Sequence, residues 1–277
     1  MTLKGKICII TGATSGVGKE TAKALAKKGA TVVLPVRNSM KGDTLKDEIL
    51  AETPDAKLDF MHCNLASFES IRQFAKEFKA KYNKLHILIN NAGIWESKRN
   101  LSEDGIEMNF AVNHLAPFLL THLLLDTIKK SAPARIINVA SNAHKYSKMN
   151  FPDLEFEKKY SSMKSYSQSK LANILFTKKL SQQLHGSGVT ANSLHPGVVK
   201  TNLFDKMPGF MVKIMGLFMI SPVKGAQTTI YLATSPDVEK TSGEYFSESK
   251  RKKPSSEALR QDVADKLWGI SEKYVGI

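Results

Sequence analysis

The stretch Lys6-Ile7-Cys8-Ile9-Ile10-Thr11-Gly12-Ala13-Thr14-Ser15-Gly16-Val17-Gly18 decides how the rest of the chain is read. Its first half is continuously apolar, as expected of a strand covered on both sheet faces. Its second half places glycines where a strand turns into a helix. Glycines there let the backbone approach a pyrophosphate, and the free N–H groups at the helix start hold its charge. Gly12, Thr14, Ser15, Gly16, Val17 and Gly18 are therefore candidate cofactor contacts. A tight turn with no ligand is the competing reading, and the strand before the loop and the helix after it argue against that.

Outward from this unit, strand-like runs alternate with helical patterns. Strands are expected at Lys6-Thr11, Ala30-Val36, Lys57-Cys63, Leu85-Asn90, Arg135-Ala140, Val189-Leu194 and Glu244-Phe246. The helical segment Val17-Lys28 stops at Gly29, a helix-ending position. This order predicts an α/β fold: a single Rossmann-type, doubly wound parallel sheet of about seven strands with helices on both faces. No internal repeat or linker divides residues 1–277. Asn142-Lys164 and the Met- and Phe-rich Thr201-Ser221 interrupt the alternation. Both leave the carboxyl ends of strands, where ligands bind in such sheets, so 201–221 is the expected substrate-lid segment.

Composition narrows the class. At 277 residues, 42% apolar and 24% charged, the chain is globular. Cys8 and Cys63 lie in separate apolar runs, so buried free thiols are expected, with no disulfide framework and no metal pattern. No uninterrupted apolar run reaches the ~18 residues of a membrane span. The net charge of +14 suits a phosphorylated cofactor, an acidic lipid surface or simply a solvated basic face. Without zinc spacing or aromatic-interleaved basic motifs, nucleic acid is not an expected partner. Lys250-Arg251-Lys252-Lys253 reads as an exposed loop.

Ser165-Tyr166-Ser167-Gln168-Ser169-Lys170 supplies the chemistry. Tyr166 and Lys170 stand four residues apart on one helix face. An ammonium beside a phenol favours the phenolate, so a Tyr166 pKa below ~10 is expected, fit for proton exchange with an alcohol or carbonyl. The end of the second strand selects the cofactor. An NAD site would carry a carboxylate there for the ribose 2′-hydroxyl. Leu34-Pro35-Val36-Arg37-Asn38 has none, and the Arg37 guanidinium suits a 2′-phosphate. NADP(H) is favoured over NAD(H). Lys19 is a further candidate for the same phosphate.

Thr11-Gly18, Asn90-Asn91-Ala92-Gly93 and Tyr166-x-x-x-Lys170 together resemble the short-chain dehydrogenase/reductase family. Val112-Asn113-His114-Leu115, Ser169-Lys170-Leu171-Ala172-Asn173 and His195-Pro196-Gly197 are similar to its retinol-dehydrogenase-like branch, which includes the WW-domain oxidoreductases. The resemblance spans essentially the whole chain. It implies a catalytic set of Asn113, Ser141, Tyr166 and Lys170. Tyr166 would be the acid/base, and Lys170 would lower its pKa and bind the nicotinamide ribose. Ser141 would hold the substrate oxygen, and Asn113 would hold a relay water. Asn64 and Leu65 would meet the adenine, and Asn91, Ala92 and Gly93 the adenosine side. Pro196, Gly197, Val199 and Thr201 would fix the carboxamide.

Three departures stand out. Asn64 replaces the branch's aspartate, which weakens the adenine contact. Pro35 falls near the end of an interior strand, just past the expected pairing. Ala140 replaces a serine. The branch's membrane members carry an N-terminal hydrophobic anchor that Met1-Thr2-Leu3-Lys4-Gly5-Lys6 does not supply. A cytoplasmic protein with at most peripheral membrane contact is expected.

The resulting expectation is an NADP(H)-dependent oxidoreductase interconverting a lipophilic carbonyl and alcohol. The substrate would be of retinoid, steroid or lipid-aldehyde type, with the flexible side chains of 201–221 at the mouth of the site. The resemblance also allows a homodimer through the helices beginning near Asn109 and Ser165. The rival is a catalytically idle nucleotide-binding scaffold on the same fold. Its mark would be loss of Tyr166, Lys170 or Ser141, and all three are present.

Overall fold

Alternation of apolar residues across the strands sorts them onto two faces of one sheet. The computed structural model, which describes residues 2–200 and 219–277, places Ile9 in one hydrophobic cluster and its neighbours Cys8 and Ile10 in another. Leu88 faces the first cluster, and Ile87 and Ile89 the second. Helices seal both faces.

In chain order the elements are β1 (Ile7–Ile10), α1 (Gly16–Lys27), β2 (Thr31–Val36), α2 (Ser39–Glu52), β3 (Lys57–His62), α3 (Phe68–Lys81) and β4 (Ile87–Asn90). A long helix follows, α4 (Met108–Lys129), then β5 (Ala134–Val139), α5 (Ser162–Gln183), β6 (Val189–His195), α6 (Pro222–Thr234), β7 (Tyr245–Ser247), β8 (Lys250–Arg251) and α7 (Gln261–Val275). The strand order is β3-β2-β1-β4-β5-β6-β7-β8, parallel except for β8. It reverses direction between β1 and β4, where an open α/β sheet leaves its ligand crevice. The glycine loop and Asn91-Gly93 both leave the sheet at that point.

Helix α3 shows why the elements form where they do. Ile71, Phe74, Ala75 and Phe78 make one buried stripe at helical spacing, and the Ser67 hydroxyl caps the start by accepting from the Ser70 N–H. Burying each such phenylalanine contributes roughly 2 kcal/mol. Helices α3, α4, α5 and α7 cover the face of Ile9, and α1, α2 and α6 cover the face of Ile10. By length and composition α4 could cross a membrane, but 78% of its apolar window is buried inside the molecule, so it is a core helix.

Three expectations change. The sheet has eight strands rather than about seven. Lys250 and Arg251 are not loop: they pair antiparallel with Ser247 and Phe246 and close the edge. Their exposed cations blunt that edge against further pairing. Pro35 lies inside the β2–β3 ladder, opposite Met61, not beyond it. It is tolerated because its nitrogen faces the other way. The Thr31 N–H donates toward β1 and the Val36 carbonyl accepts from β3, so by alternation Pro35 faces β1, whose pairing ends at Val33. The helices expected to pair, α4 and α5, are core elements over their first turns. Asn109–Thr121 and Ser165–Thr177 are buried throughout, partly by α7, whose Trp268 ring packs 5.0 Å from Phe118 and 5.8 Å from Phe176.

Candidate active site

The glycine loop is shaped by close backbone approaches. Gly12 has φ of +65°, and a Cβ there would lie 2.7 Å from Ala92 Cα. A Cβ on Gly18 would lie 2.3 Å from the Gly12 carbonyl oxygen and 2.5 Å from Asn91 Nδ2. The loop is thus docked on the Asn91 segment. The Thr11 hydroxyl accepts from the Asn91 and Ala92 N–H groups, and Asn91 Nδ2 donates to the Thr11 and Gly12 carbonyls. Ser15 stands at the N-cap of α1 without a side-chain cap bond, and no acid sits in the first turn. The N-terminal N–H groups of α1 therefore face the crevice with no anion of their own, which fits a pyrophosphate.

Around this cradle, Arg37 is exposed and makes no ion pair among the described residues, whereas Lys19 is held by Glu48 at 2.8 Å. Asn64 Oδ1 accepts from the Ala66 N–H, and its amide donates to Glu103, so the residue is braced on both sides. Leu65 lines a small cavity beside Thr11 and Ala92. Gly197, at φ +95°, lets Ile220 approach: a Cβ there would sit 2.5 Å from the Ile220 side chain. Val199 pairs with Ile220 and packs with Val17 and Ala226. Pro196 and Gly197 leave β6 at the same edge. Thr201 and most of the expected lid segment, residues 201–218, lie outside the described residues.

Lys170 and Asn113 meet at Gly93, with Tyr166 beside Lys170 and Ser141 bonded to Tyr166. Gly93 has no side chain where one would be crowded: a Cβ there would lie 2.9 Å from Lys170 Nζ and 3.5 Å from Asn113 Oδ1. Lys170 Nζ donates to the Val139 carbonyl at 3.2 Å and stands 5.6 Å from the Tyr166 ring centre. Asn113 accepts from the Ile94 N–H and donates to the Ile94 carbonyl and the Ser169 hydroxyl. It sits in a π-helical turn, Ala111–Leu115, inside α4. A π turn inserts a residue into the helix ladder, and such turns recur at functional sites. Ser141 caps a 3-10 helix, Asn142–Tyr146, by accepting from the Ala143 N–H.

Burial dominates the electrostatics and reverses one expectation. It pushes the Tyr166 phenol up to about 12, opposed only in part by a hydrogen bond from Ser141. The same burial brings Lys170 down to about 8. The ammonium is drawn to the Val139 carbonyl rather than to the phenol oxygen, so desolvation outweighs its pull on Tyr166. At neutral pH the site therefore holds a protonated phenol beside a largely charged lysine.

Several residues of this neighbourhood carry no sequence signal. The Trp95 ring packs tilted against Tyr166, at 46° and with ring centres 4.9 Å apart. Glu107 is fully buried, and its carboxylate accepts from the Asn109 and Phe110 N–H groups. Burial raises its pKa, while those donors oppose the shift. Asn109 then donates to Tyr160 and Ser165, which ties the start of α4 to the residue beside Tyr166. An isolated Glu-x-Asn gives no hint of such a network.

A family profile described as short chain dehydrogenase matches residues 6–209. The chain belongs to the short-chain dehydrogenase family. It is similar to retinol dehydrogenase 12 of Mus musculus, at 43% identity over 99% of this chain and 88% of that protein. It is also similar to retinol dehydrogenase 13 of Homo sapiens, at 43% identity over 100% and 86% of the two chains. A solved protein from Mycobacterium paratuberculosis superposes with a TM-score of 0.79 at 32% identity, covering 99% of this chain and 95% of that one. A gluconate 5-dehydrogenase from Burkholderia cenocepacia, solved with NADP and tartrate, shares the fold: TM-score 0.71, 24% identity, coverage 88% and 94%. This short-chain dehydrogenase is an NAD(P)-dependent oxidoreductase of the alcohol/carbonyl class.

Proposed function

We propose that this chain reduces a lipophilic aldehyde or ketone with NADPH. Ser141 holds the substrate oxygen and Tyr166 gives up the proton. The observation that carries the reading is the convergence of Lys170 and Asn113 on Gly93, beside the uncapped start of α1, with Tyr166 beside Lys170 and Ser141 bonded to Tyr166. When bound, the nicotinamide supplies a hydride to the carbonyl carbon. The C=O electron pair then takes the Tyr166 proton, and the resulting phenolate is stabilised by the Lys170 ammonium. Asn113, fixed by Ile94 and Ser169, sits where a water could return the proton behind Lys170. A phenol pushed up to about 12 enters the reductive step protonated and so can act as its acid.

Support for the cofactor choice is Arg37, exposed at the end of β2 with no ion-pair partner among the described residues and no carboxylate beside it on the strand. Gly12, Thr14, Ser15, Gly16, Val17 and Gly18 would carry the pyrophosphate side. Asn64, Leu65, Asn91, Ala92 and Gly93 would carry the adenosine side, and Pro196, Gly197, Val199 and Thr201 the carboxamide. Support for the substrate class is the naming of the relatives as retinol dehydrogenases, enzymes of a lipophilic alcohol. We place the protein in the cytoplasm or peripherally at a membrane surface; co-sedimentation with liposomes tests the contact.

The deciding experiment follows NADPH and NADH consumption with retinal, steroid ketones and medium-chain aldehydes, for wild type and Tyr166→Phe. NADPH-dependent reduction lost in the variant is the expected result. Tight NADPH binding without turnover on any carbonyl, or on the matching alcohols with NADP, overturns it in favour of a scaffold.

A further inference from the structure

The carbonyl oxygen of Ser141 receives two hydrogen bonds, and both come from His144: the main-chain N–H at 3.1 Å and Nδ1 at 2.7 Å. The other ring nitrogen, Nε2, lies 3.0 Å from the Ser255 nitrogen. A backbone N–H can only donate, so Nε2 presents its lone pair and the ring proton sits on Nδ1. Geometry alone thus fixes the tautomer. The His144 side chain is fully buried, and the Tyr245 ring meets it edge-on at 5.1 Å. The Tyr245 hydroxyl donates to Asn142 Oδ1, on the residue next to Ser141. Two residues far along the chain, Tyr245 on β7 and Ser255 beyond β8, therefore grip the turn that carries Ser141.

We propose that His144 is a positioning residue: its Nδ1–H, with the ring oriented by the Ser255 N–H, holds the Ser141 carbonyl and so keeps the Ser141 hydroxyl aimed at Tyr166. The proposal rests on the reading of Ser141 and Tyr166 as the proton-transfer site. With the main chain held, the Ser141 Oγ is placed by χ1 alone, and the bond it accepts from the Ala143 N–H, in the same turn, selects that rotamer. The demand is strict, because misplacing a reacting group by about 1 Å can cost about a hundredfold in rate. If the ring served only to fill space, an apolar ring of the same size would do as well. Burial lowers the His144 pKa, which keeps the ring neutral and able to accept from Ser255.

Three variants separate the two bonds. In His144→Asn the amide nitrogen stands where Nδ1 does, so the bond to Ser141 survives and the bond to Ser255 is lost. His144→Gln moves its polar atoms out to the level of Nε2, with the reverse effect, and His144→Phe loses both. The expected result is kcat within severalfold of wild type for the asparagine, and a drop of about ten- to a hundredfold for the glutamine and phenylalanine variants. KM and Kd for NADPH should stay unchanged in all three. Equal kcat in the three variants, or kcat losses that simply follow the losses in Tm, overturn the proposal while leaving the wild-type activity in place. Absence of turnover in the wild type removes the site reading and the proposal together. Imidazole nitrogen NMR of the wild type gives an activity-independent check: a proton on Nδ1 is expected, and one on Nε2 overturns the proposal.

Discussion

The two halves of the sheet treat polar groups in opposite ways. Around β1–β3, the groups turned to the crevice are backbone and exposed charge: the uncapped start of α1, the glycine approaches and the exposed Arg37. Around β4–β6, polar side chains are buried and bonded to one another. Asn90 donates to Thr121 and Asn138, Asn138 to Thr177, and Asn113 to Ser169. The difference teaches that holding a phosphate needs donors left free, whereas proton transfer needs side chains that cannot drift. A bonded buried network meets the second need because breaking one of its bonds leaves a further unpaired group in a low dielectric.

The sharpest test of this division is Tyr166→Phe. It should lower kcat by about a hundred- to ten-thousandfold. NADPH binding, read from quenching of tryptophan emission, should survive. Loss of both together would show that the halves are not separable.

Acid sensitivity should localise to the second half. Burial brings His114 down to about 3, in a cage of Phe110, Phe118 and Phe176 with Ser271 on its Nε2. A folded pKa below the unfolded value means that stability is whole above ~6.5 and falls as pH drops. By pH 4.5 the loss from this residue is about 2–3 kcal/mol. Denaturant melts across that range should show the decline, and His114→Phe should flatten it. An unchanged acid limb in the variant would assign the sensitivity elsewhere.

Gly18→Ala probes the first half. Its Cβ would collide with the Gly12 carbonyl, a backbone atom that cannot swing aside. The expected destabilisation is about 1–3 kcal/mol, with NADPH affinity falling alongside Tm. Normal affinity would mean that the loop has another conformation suited to the cofactor.

The smallest effect is expected at Arg37. Arg37→Ala should raise KM for NADPH by about tenfold and leave KM for NADH near wild type, since an exposed charged contact is worth about 1 kcal/mol. An equal change for both cofactors would remove the 2′-phosphate from its role.

The first half was almost entirely legible in the sequence. Gly12, Gly16 and Gly18 mark a loop because only glycine takes those close approaches, and the strand-to-helix context is local. Tyr166, Lys170, Ser141 and Asn113 were legible as residues, through a resemblance, but their environment was not. The expected lowering of the Tyr166 pKa failed because spacing along a helix shows a neighbour and does not show burial. Pro35 lies past the pairing with β1, as expected, but inside the ladder with β3, because the direction of one nitrogen depends on ladder register. The eighth strand was missed because two exposed basic residues carry no apolar signal.

By itself, then, the sequence determined the alternating α/β order, the glycine loop and the residue types of the candidate site, all set by local periodicity and backbone freedom. Only the tertiary structure decided which of those groups are desolvated, which way the Lys170 ammonium leans, and that His144 binds the Ser141 turn to Ser255 more than a hundred residues later. Those outcomes depend on partners brought together by packing, and packing depends on the whole chain at once.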